Sequence, residues 1–422
     1  MPRVVVTGIG FITSIGNDKI AVSRNLKELR HGIGLYPPFQ TENSPVKVAG
    51  IVKEFDTDSD DPGEWEFPGK EKIKSETLRS LAPHGLFSHC AVDQAIENAG
   101  LSKDEVSHER SGLFSASPGS MSNIHRNIAR LHSRGAMRCS PMGIISSVAG
   151  TVNFNLVASL GIKGASLGFT SACSSSGHAL GYGFDEIVQG RQDRIIVVGA
   201  EDGNLENILP FAAMRSLSVS SDPDRASRPF DRKRDGFVGT GGAAAMILES
   251  DEVACGRGAS IYAEFLGWGQ ASDGYHVVMA HPEGEGLSIA MKNAIRSSRI
   301  PKESVDYVNA HAPSTLAGDL SEMKALRRVF QGGKARPAIS STKALTGHGL
   351  SLASVMEASF CVLSLSEGFM PGSAHIEELD PEGNGLEIIR TSRDTKPEVV
   401  MSNSSGFGGT NVSLIFGGYK SS

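Results

Sequence analysis

Cys173 stands in Thr170-Ser171-Ala172-Cys173-Ser174-Ser175-Ser176-Gly177, a run of small residues after which a helical pattern begins. A lone cysteine is most often a small buried hydrophobe. At a helix start the unpaired backbone N–H groups and the macrodipole favour the thiolate, so a depressed pKa is expected there. The same N–H groups would hold the oxyanion of a thioester under attack. Cys173 therefore reads as a nucleophile. His311 follows the strand-like run Val305–Asn309, and the end of a parallel strand points into the crevice where open α/β sheets take ligands. A structural histidine is the alternative at that position. His348 closes Lys343-Ala344-Leu345-Thr346-Gly347-His348, a turn into a second helical pattern, where a helix N-terminus would keep the imidazole neutral and able to donate a hydrogen bond. Lys343 by itself would be a solvated surface charge, and only its motif argues otherwise.

Other candidates are weaker. His178 lies inside the helix pattern that follows Cys173 and reads as packing. His84 with His89, and His276 with His281, lack the helical spacing of a metal pair, so no metal site is expected. Asn403-Ser404-Ser405-Gly406-Phe407-Gly408-Gly409-Thr410-Asn411 lacks the Lys-Ser/Thr ending of a phosphate loop. It suits a tight turn beside a ligand with Phe407 as a lid, or a plain hairpin with a packed Phe.

The elements that must position these residues alternate short β-branched runs with longer helical patterns, the signature of a layered α/β fold with parallel strands. Strands are expected at Arg3–Thr7, Arg194–Val198, Ser260–Phe265 and Val305–Asn309, and helices at Val92–Ala99, Ser174–Gln189 and Leu350–Leu365. The Cys173 turn and the Lys343–His348 turn echo one another, each following a strand and opening a helix, which fits a duplicated unit. Phe39–Lys72, acid-rich and broken by prolines, reads as a surface excursion, and Ser218–Asp235 as an irregular stretch.

Composition bounds what such a molecule does. At 422 residues, two packed domains or one duplicated fold is expected. A net charge of −6 gives no basic footprint for nucleic acid. The five dispersed cysteines form no CxxC pair, which argues against a disulfide framework and for a reducing cytoplasm. No run of about 18 uninterrupted apolar residues is present, so no membrane span is expected.

Taken together, the Cys173 turn, Val308-Asn309-Ala310-His311-Ala312-Pro313-Ser314-Thr315, Ser341-Thr342-Lys343-Ala344-Leu345-Thr346-Gly347-His348 and the Asn403–Asn411 run resemble, in order, the motifs of β-ketoacyl-acyl-carrier-protein synthases. The resemblance runs from Val4 to Phe416, and Gly239-Thr240-Gly241-Gly242 looks more like the type I enzymes than type II. It implies a duplicated thiolase fold of five layers, α-β-α-β-α, with residues 1–250 and 251–422 as its halves, and a homodimer. It implies a decarboxylative Claisen condensation of an acyl-carrier protein with malonyl-carrier protein in fatty-acid elongation. Cys173 would accept the acyl chain, and His311 and His348 would promote loss of CO2, since two imidazole N–H donors aimed at the developing enolate favour the transition state. Lys343 matches the active-site lysine, Phe407 the gate, Thr315 a hydroxyl on the phosphopantetheine arm, Phe211 a residue of the acyl pocket, and Glu322 and Glu357 structural acids. The backbone N–H groups of Cys173 and Phe407 would form the oxyanion hole. No cofactor is implied beyond the phosphopantetheine that the carrier brings.

Two positions depart from the family pattern. Pro313 stands where a hydroxyl would bond the pantetheine, and Ser405 where an aromatic would flank the gate. Both bear on substrate choice, so a ketosynthase of a dedicated polyketide or aryl-polyene pathway stays open beside the fatty-acid enzyme. A non-condensing partner subunit would normally lack the nucleophile, and a cysteine hydrolase would need fewer groups. Carrier proteins are acidic, and Arg126, Arg130 and Arg134 recur every four residues on one face of a helix expected over Asn123–His132. Arg130 and Arg134 are the expected carrier contacts, with an ordinary solvated face as the alternative.

Overall fold

The computed structural model describes residues 2–332 and 336–421. Its main sheet has eleven strands: β1 Val4–Ile12, β2 Ser111–Ala116, β3 Ser166–Phe169, β4 Arg194–Glu201, β5 Gly242–Ser250 and β6 Ala263–Ser272. The others are β7 Tyr307–Asn309, β8 Ala338–Ser340, β9 Glu387–Ile388, β10 Val399–Gly406 and β11 Thr410–Gly417. Their spatial order is β9-β8-β7-β10-β11-β6-β1-β5-β4-β2-β3. From β1 outward the first half runs antiparallel, antiparallel, parallel, parallel. From β6 outward the second half repeats that sequence through β11, β10, β7 and β8, then adds β9. The repeat is the duplication that the two turns foreshadow, and the halves join where Val4–Val6 pair with Ala263–Phe265.

The helices that cover the sheet are α1 Pro83–Ala99, α2 Met121–Arg134, α3 Thr151–Leu160, α4 Ser175–Val188, α5 Glu285–Ser298, α6 Leu316–Phe330 and α7 Ala353–Glu367. Side chains alternate across each strand, and the alternation sorts them into layers. Val197, Met246 and Leu248 face inward to a core shared with α4 and α7. Ile196, Val198 and Ile247 face outward to α1 and α3. Val308, Met401 and Ile415 do the same toward α5 and α6. Both α4 and α7 pack on strands of the two halves, so they form the central layer of an α-β-α-β-α stack. The two chemistry-bearing turns precede these two helices.

Local chemistry sets the element ends. Pro83 opens α1, where its missing N–H costs nothing, and Gly100 closes it in the left-handed conformation at φ 66°. Gly8 and Gly10 in β1 serve closeness instead: a Cβ at Gly10 would lie 2.0 Å from the Ala91 carbonyl oxygen of α1.

Two expectations need correction. Two strands are longer than their β-branched cores, β1 reaching Ile12 and β6 reaching Ser272, because pairing with β5 and β11 continues through their glycines. The Phe39–Lys72 stretch is not merely an excursion, since Phe39 is buried and Trp65 and Phe67 pack with Leu78, Leu81 and Leu86. Leu350–Glu367 is long and apolar enough to cross a membrane by composition, but 83% of it is buried inside the protein as the central helix.

Candidate active site

The Cys173 turn links β3 to α4. Ala172, just before Cys173, is left-handed at φ 51°, a conformation that costs an L-residue about 1–2 kcal/mol. The serines explain how the turn is kept. Ser174 Oγ donates to the Ser171 carbonyl (2.8 Å), Ser175 Oγ donates to the Ala172 carbonyl (2.6 Å), and Ser176 Oγ donates to the Ser351 carbonyl of the second half (2.7 Å). Thr410 Oγ1 adds a donor to Ser171 O at 3.1 Å. The glycine-rich turn lies directly on this one, for a Cβ at Gly406 would sit 3.0 Å from the Cys173 nitrogen. Glycine is required there for backbone approach.

Cys173 lines a cavity of about 360 Å³ together with His311, His348, Phe211, Phe407, Thr315, Pro313 and Ser405. Met214, Val278, Met279, Leu287 and Leu316 give it a largely apolar wall. The two imidazoles are buried, with ring centroids 5.1 Å apart and planes nearly perpendicular. His311 is fixed through its backbone: Glu322 accepts from the His311 N–H (3.0 Å), the Ala312 N–H (2.6 Å) and Asn403 Nδ2 (3.1 Å). His348 is fixed by a bridge to the strand-like segment before β5, its N–H donating to the Val238 carbonyl at 2.7 Å. Lys343 lies behind the cavity wall, fully buried in an ion pair with Glu357.

Electrostatics correct the expectation for the thiol. Burial pushes Cys173 up to about 12, with the Lys343 ammonium opposing, so desolvation outweighs the helix terminus. Both imidazoles are held well below their ordinary value, by burial first and by Lys343 second, with His348 adding to the effect on His311. They are neutral near pH 7, as expected for His348. The cause differs, because α7 begins only at Ala353 and the effect belongs to burial and a buried cation. Burial holds the Glu357 carboxyl up, at about 7, against the pull of Lys343.

Aromatic rings run in a chain along the pocket: Phe407 to Phe211 (5.9 Å), Phe211 to Phe237 (5.5 Å) and Phe237 to His348 (5.3 Å). The sequence resembles the family through residues 234–238 but assigns Phe237 itself no role. Thr315 is the N-cap of α6, its Oγ1 accepting from the Gly318 N–H at 3.2 Å, which leaves its own O–H free to donate. Ser405 Oγ donates to Asn411 Oδ1 at 2.6 Å, so that hydroxyl is tied down. Arg130 and Arg134 are exposed on the last turns of α2, and neither lines the cavity. His178, expected from the sequence to be packing, bonds the Ser171 side chain at the Cys173 turn. Chemically, the arrangement joins one thiol to two neutral imidazoles in a largely apolar pocket that Phe407 also lines.

Residues 1–254 match the family description "Beta-ketoacyl synthase, N-terminal domain" and residues 262–377 match "Beta-ketoacyl synthase, C-terminal domain". The chain is 38% identical to 3-oxoacyl-[acyl-carrier-protein] synthase 1 of Haemophilus influenzae, with all of both chains covered. It is 37% identical to the protein of that name in Escherichia coli, with 98% of each covered. Among solved structures, a beta-ketoacyl synthase from Burkholderia phymatum superposes with a TM-score of 0.90 at 30% identity, with both chains fully covered.

Proposed function

The chain belongs to the β-ketoacyl synthase family, and from that premise we propose how its own residues divide the work of a 3-oxoacyl-[acyl-carrier-protein] synthase. It is an acyltransferase that condenses acyl and malonyl units in fatty-acid chain elongation. The observation that carries the assignment of roles is the one cavity into which Cys173, His311, His348 and Phe407 converge from both halves of the fold. Cys173 sulfur attacks the acyl thioester carbonyl, and the carrier's thiol leaves with the proton that the cysteine gave up. The N–H groups of Cys173 and Phe407 hold the oxyanion. Malonyl-carrier protein then enters past Phe407, its arm received by the Thr315 hydroxyl, and the bond to the carboxylate breaks to release CO2. The electron pair forms an enolate whose oxygen accepts from the His311 and His348 N–H groups. The enolate carbon attacks the acyl-Cys173 carbonyl, and the cysteine leaves as the 3-oxoacyl product forms, with Phe211 lining the space for the chain.

Neutral imidazoles suit this step, because donors that carry no charge stabilise the enolate without holding the malonyl carboxylate as an ion pair. Loss of either donor is expected to slow decarboxylation by about 100–1000-fold, or about 2.7–4 kcal/mol. Arg130 and Arg134 are the proposed contacts for the acidic carrier, and their reversal to Glu is expected to raise KM for carrier-bound substrate with kcat little changed. The five free cysteines suit the cytoplasmic, reducing setting that this reading assumes. The apolar outer face of α2 and the open edge of β3 support a homodimer.

Mass spectrometry of Cys173-peptide loading, with a panel of acyl-carrier proteins plus malonyl-carrier protein, tests the reading. Acyl mass on Cys173 and a 3-oxoacyl product two carbons longer, both abolished by Cys173→Ala, are expected. Loading on another residue, or product retained in the alanine variant, would overturn it. The preferred chain distinguishes a general elongating enzyme from one serving a dedicated pathway.

A further inference from the structure

His178 lies on α4 and borders a second cavity, of about 410 Å³, with Ser171, Tyr182, Gln270 and Thr410. Cys173 does not line that cavity, so His178 is separated from the substrate space by the nucleophile turn itself. Its Nε2 is 3.0 Å from Gln270 Oε1 on β6, and Gln270 Nε2 donates to the Tyr182 hydroxyl at 3.2 Å. An amide oxygen only accepts, so the ring proton sits on Nε2. The Nδ1 lone pair then accepts from the Ser171 hydroxyl at 2.7 Å, nearer than the Ser174 carbonyl at 3.2 Å. Burial lowers the imidazole pKa and keeps this neutral tautomer.

Ser171 is where the turn is anchored. Its carbonyl takes Ser174 N–H, Ser174 Oγ and Thr410 Oγ1, and its N–H donates to Ser175 Oγ. The next residue, Ala172, is the left-handed one. Strained backbone persists only where its surroundings over-determine it, and the direction of the Cys173 N–H and thiol depends on that strain being kept. We infer that His178 is a positioning residue: a strut from β6, in the second half of the fold, through Gln270 and Ser171 that holds the Cys173 turn in its reactive geometry. The inference rests on the reading of Cys173 as the acylated nucleophile.

The test separates the half-reactions. In His178→Leu, acyl loading of Cys173 is expected to slow by about 10–100-fold, as a misplacement near 1 Å does, while CO2 release from malonyl-carrier protein, which depends on His311 and His348, stays within about threefold. His178→Asn, whose side-chain oxygen reaches toward Ser171, restores most of the loading rate. Ser171→Ala slows loading alike, and His178→Leu/Ser171→Ala is no slower than either single variant, since both remove one bond. A merely structural role would lower both half-reactions together and would not be rescued by Asn. Loading at the parental rate in His178→Leu overturns the inference alone; should that variant fail to fold, an unaffected Ser171→Ala does the same. Parent protein that loads no acyl group on Cys173 overturns the underlying reading and this one with it.

Discussion

Lys343 is the charge on which the titration of the site turns. It is fully buried beside Glu357, and its field lowers both imidazoles and opposes the burial that raises Cys173. Lys343→Met removes that field without opening much space. His311 and His348 then rise toward ordinary values, though burial, the larger cause, still holds them down. The proposed decarboxylation step needs both rings neutral, so its acid limb is expected to move to higher pH in the variant; an unmoved limb would sink the assignment of the field to Lys343. Stability responds too. Removing one partner of a buried pair typically costs about 3–5 kcal/mol. The buried imidazoles have folded pKa values below the unfolded value of about 6.5, so their contribution is present above that pH and is lost as pH falls below it. Glu201 and Asp319, raised by burial to about 7, act the other way: they favour the fold at low pH and lose that contribution as pH rises through about 7. Urea unfolding at a series of pH values should therefore find the two groups in opposition, with a shallower acid loss than the histidines alone would give.

At the scale of elements, close approach decides more than propensity does. A Cβ at Gly10 would lie 2.0 Å from the Ala91 carbonyl and 2.9 Å from the Ala95 nitrogen, both backbone atoms that do not yield as a side chain would. Gly10→Ala is expected to push α1 off β1 and cost about 1–3 kcal/mol or more, the usual range for overpacking. A denaturation midpoint equal to the parent's would contradict it, and the acylation rate of the folded protein should barely change, since β1 is remote in role from the turns. The sequence already located those turns, because a reactive side chain among small residues before a helix is a local signal. It also located the helix ending at Gly100, where glycine takes the left-handed cap. Three features were not local and were not legible. The partner of His178 is Gln270, 92 residues on. The burial that raises the Cys173 thiol comes from a pocket assembled by both halves. Trp65 and Phe67 find their apolar cluster across the start of α1, in a stretch whose composition is that of a surface.

For the whole molecule, α2 is amphipathic the wrong way round for a monomer. Its inward face is polar: Asn127 Nδ2 donates to the Gly143 carbonyl (2.6 Å) and the Ser147 hydroxyl (2.8 Å), and Asn123 Nδ2 donates to Ser146 Oγ (3.0 Å). Its outward stripe is Met121, Ile124, Ile128 and Leu131, spaced three and four apart, with Ile128 50% and Leu131 44% exposed. Near it in the chain stands Met137, 95% exposed, and the edge strand β3 presents Leu167 at 52%. An apolar stripe together with a strand edge that has no neighbour among the described residues is a surface suited to a partner, and in the proposed homodimer a second copy would cover both at once through an isologous two-fold contact. Arg126, Arg130 and Arg134 lie about 140° around α2 from the stripe, on the side that carries Asn123 and Asn127, with Arg130 and Arg134 exposed, so the proposed carrier docking and the proposed self-association would use different side chains. On the proposed homodimer, the parent is expected to sediment as a dimer and Ile128→Glu with Leu131→Glu as a monomer at the same concentration, with the carrier KM of any remaining activity near the parental value. Arg130→Glu with Arg134→Glu is expected to do the reverse, raising KM in a protein that still sediments as a dimer. A double glutamate variant that stays dimeric would remove the stripe from the interface, and a KM that rises equally in both variants would place docking and dimerisation on one surface.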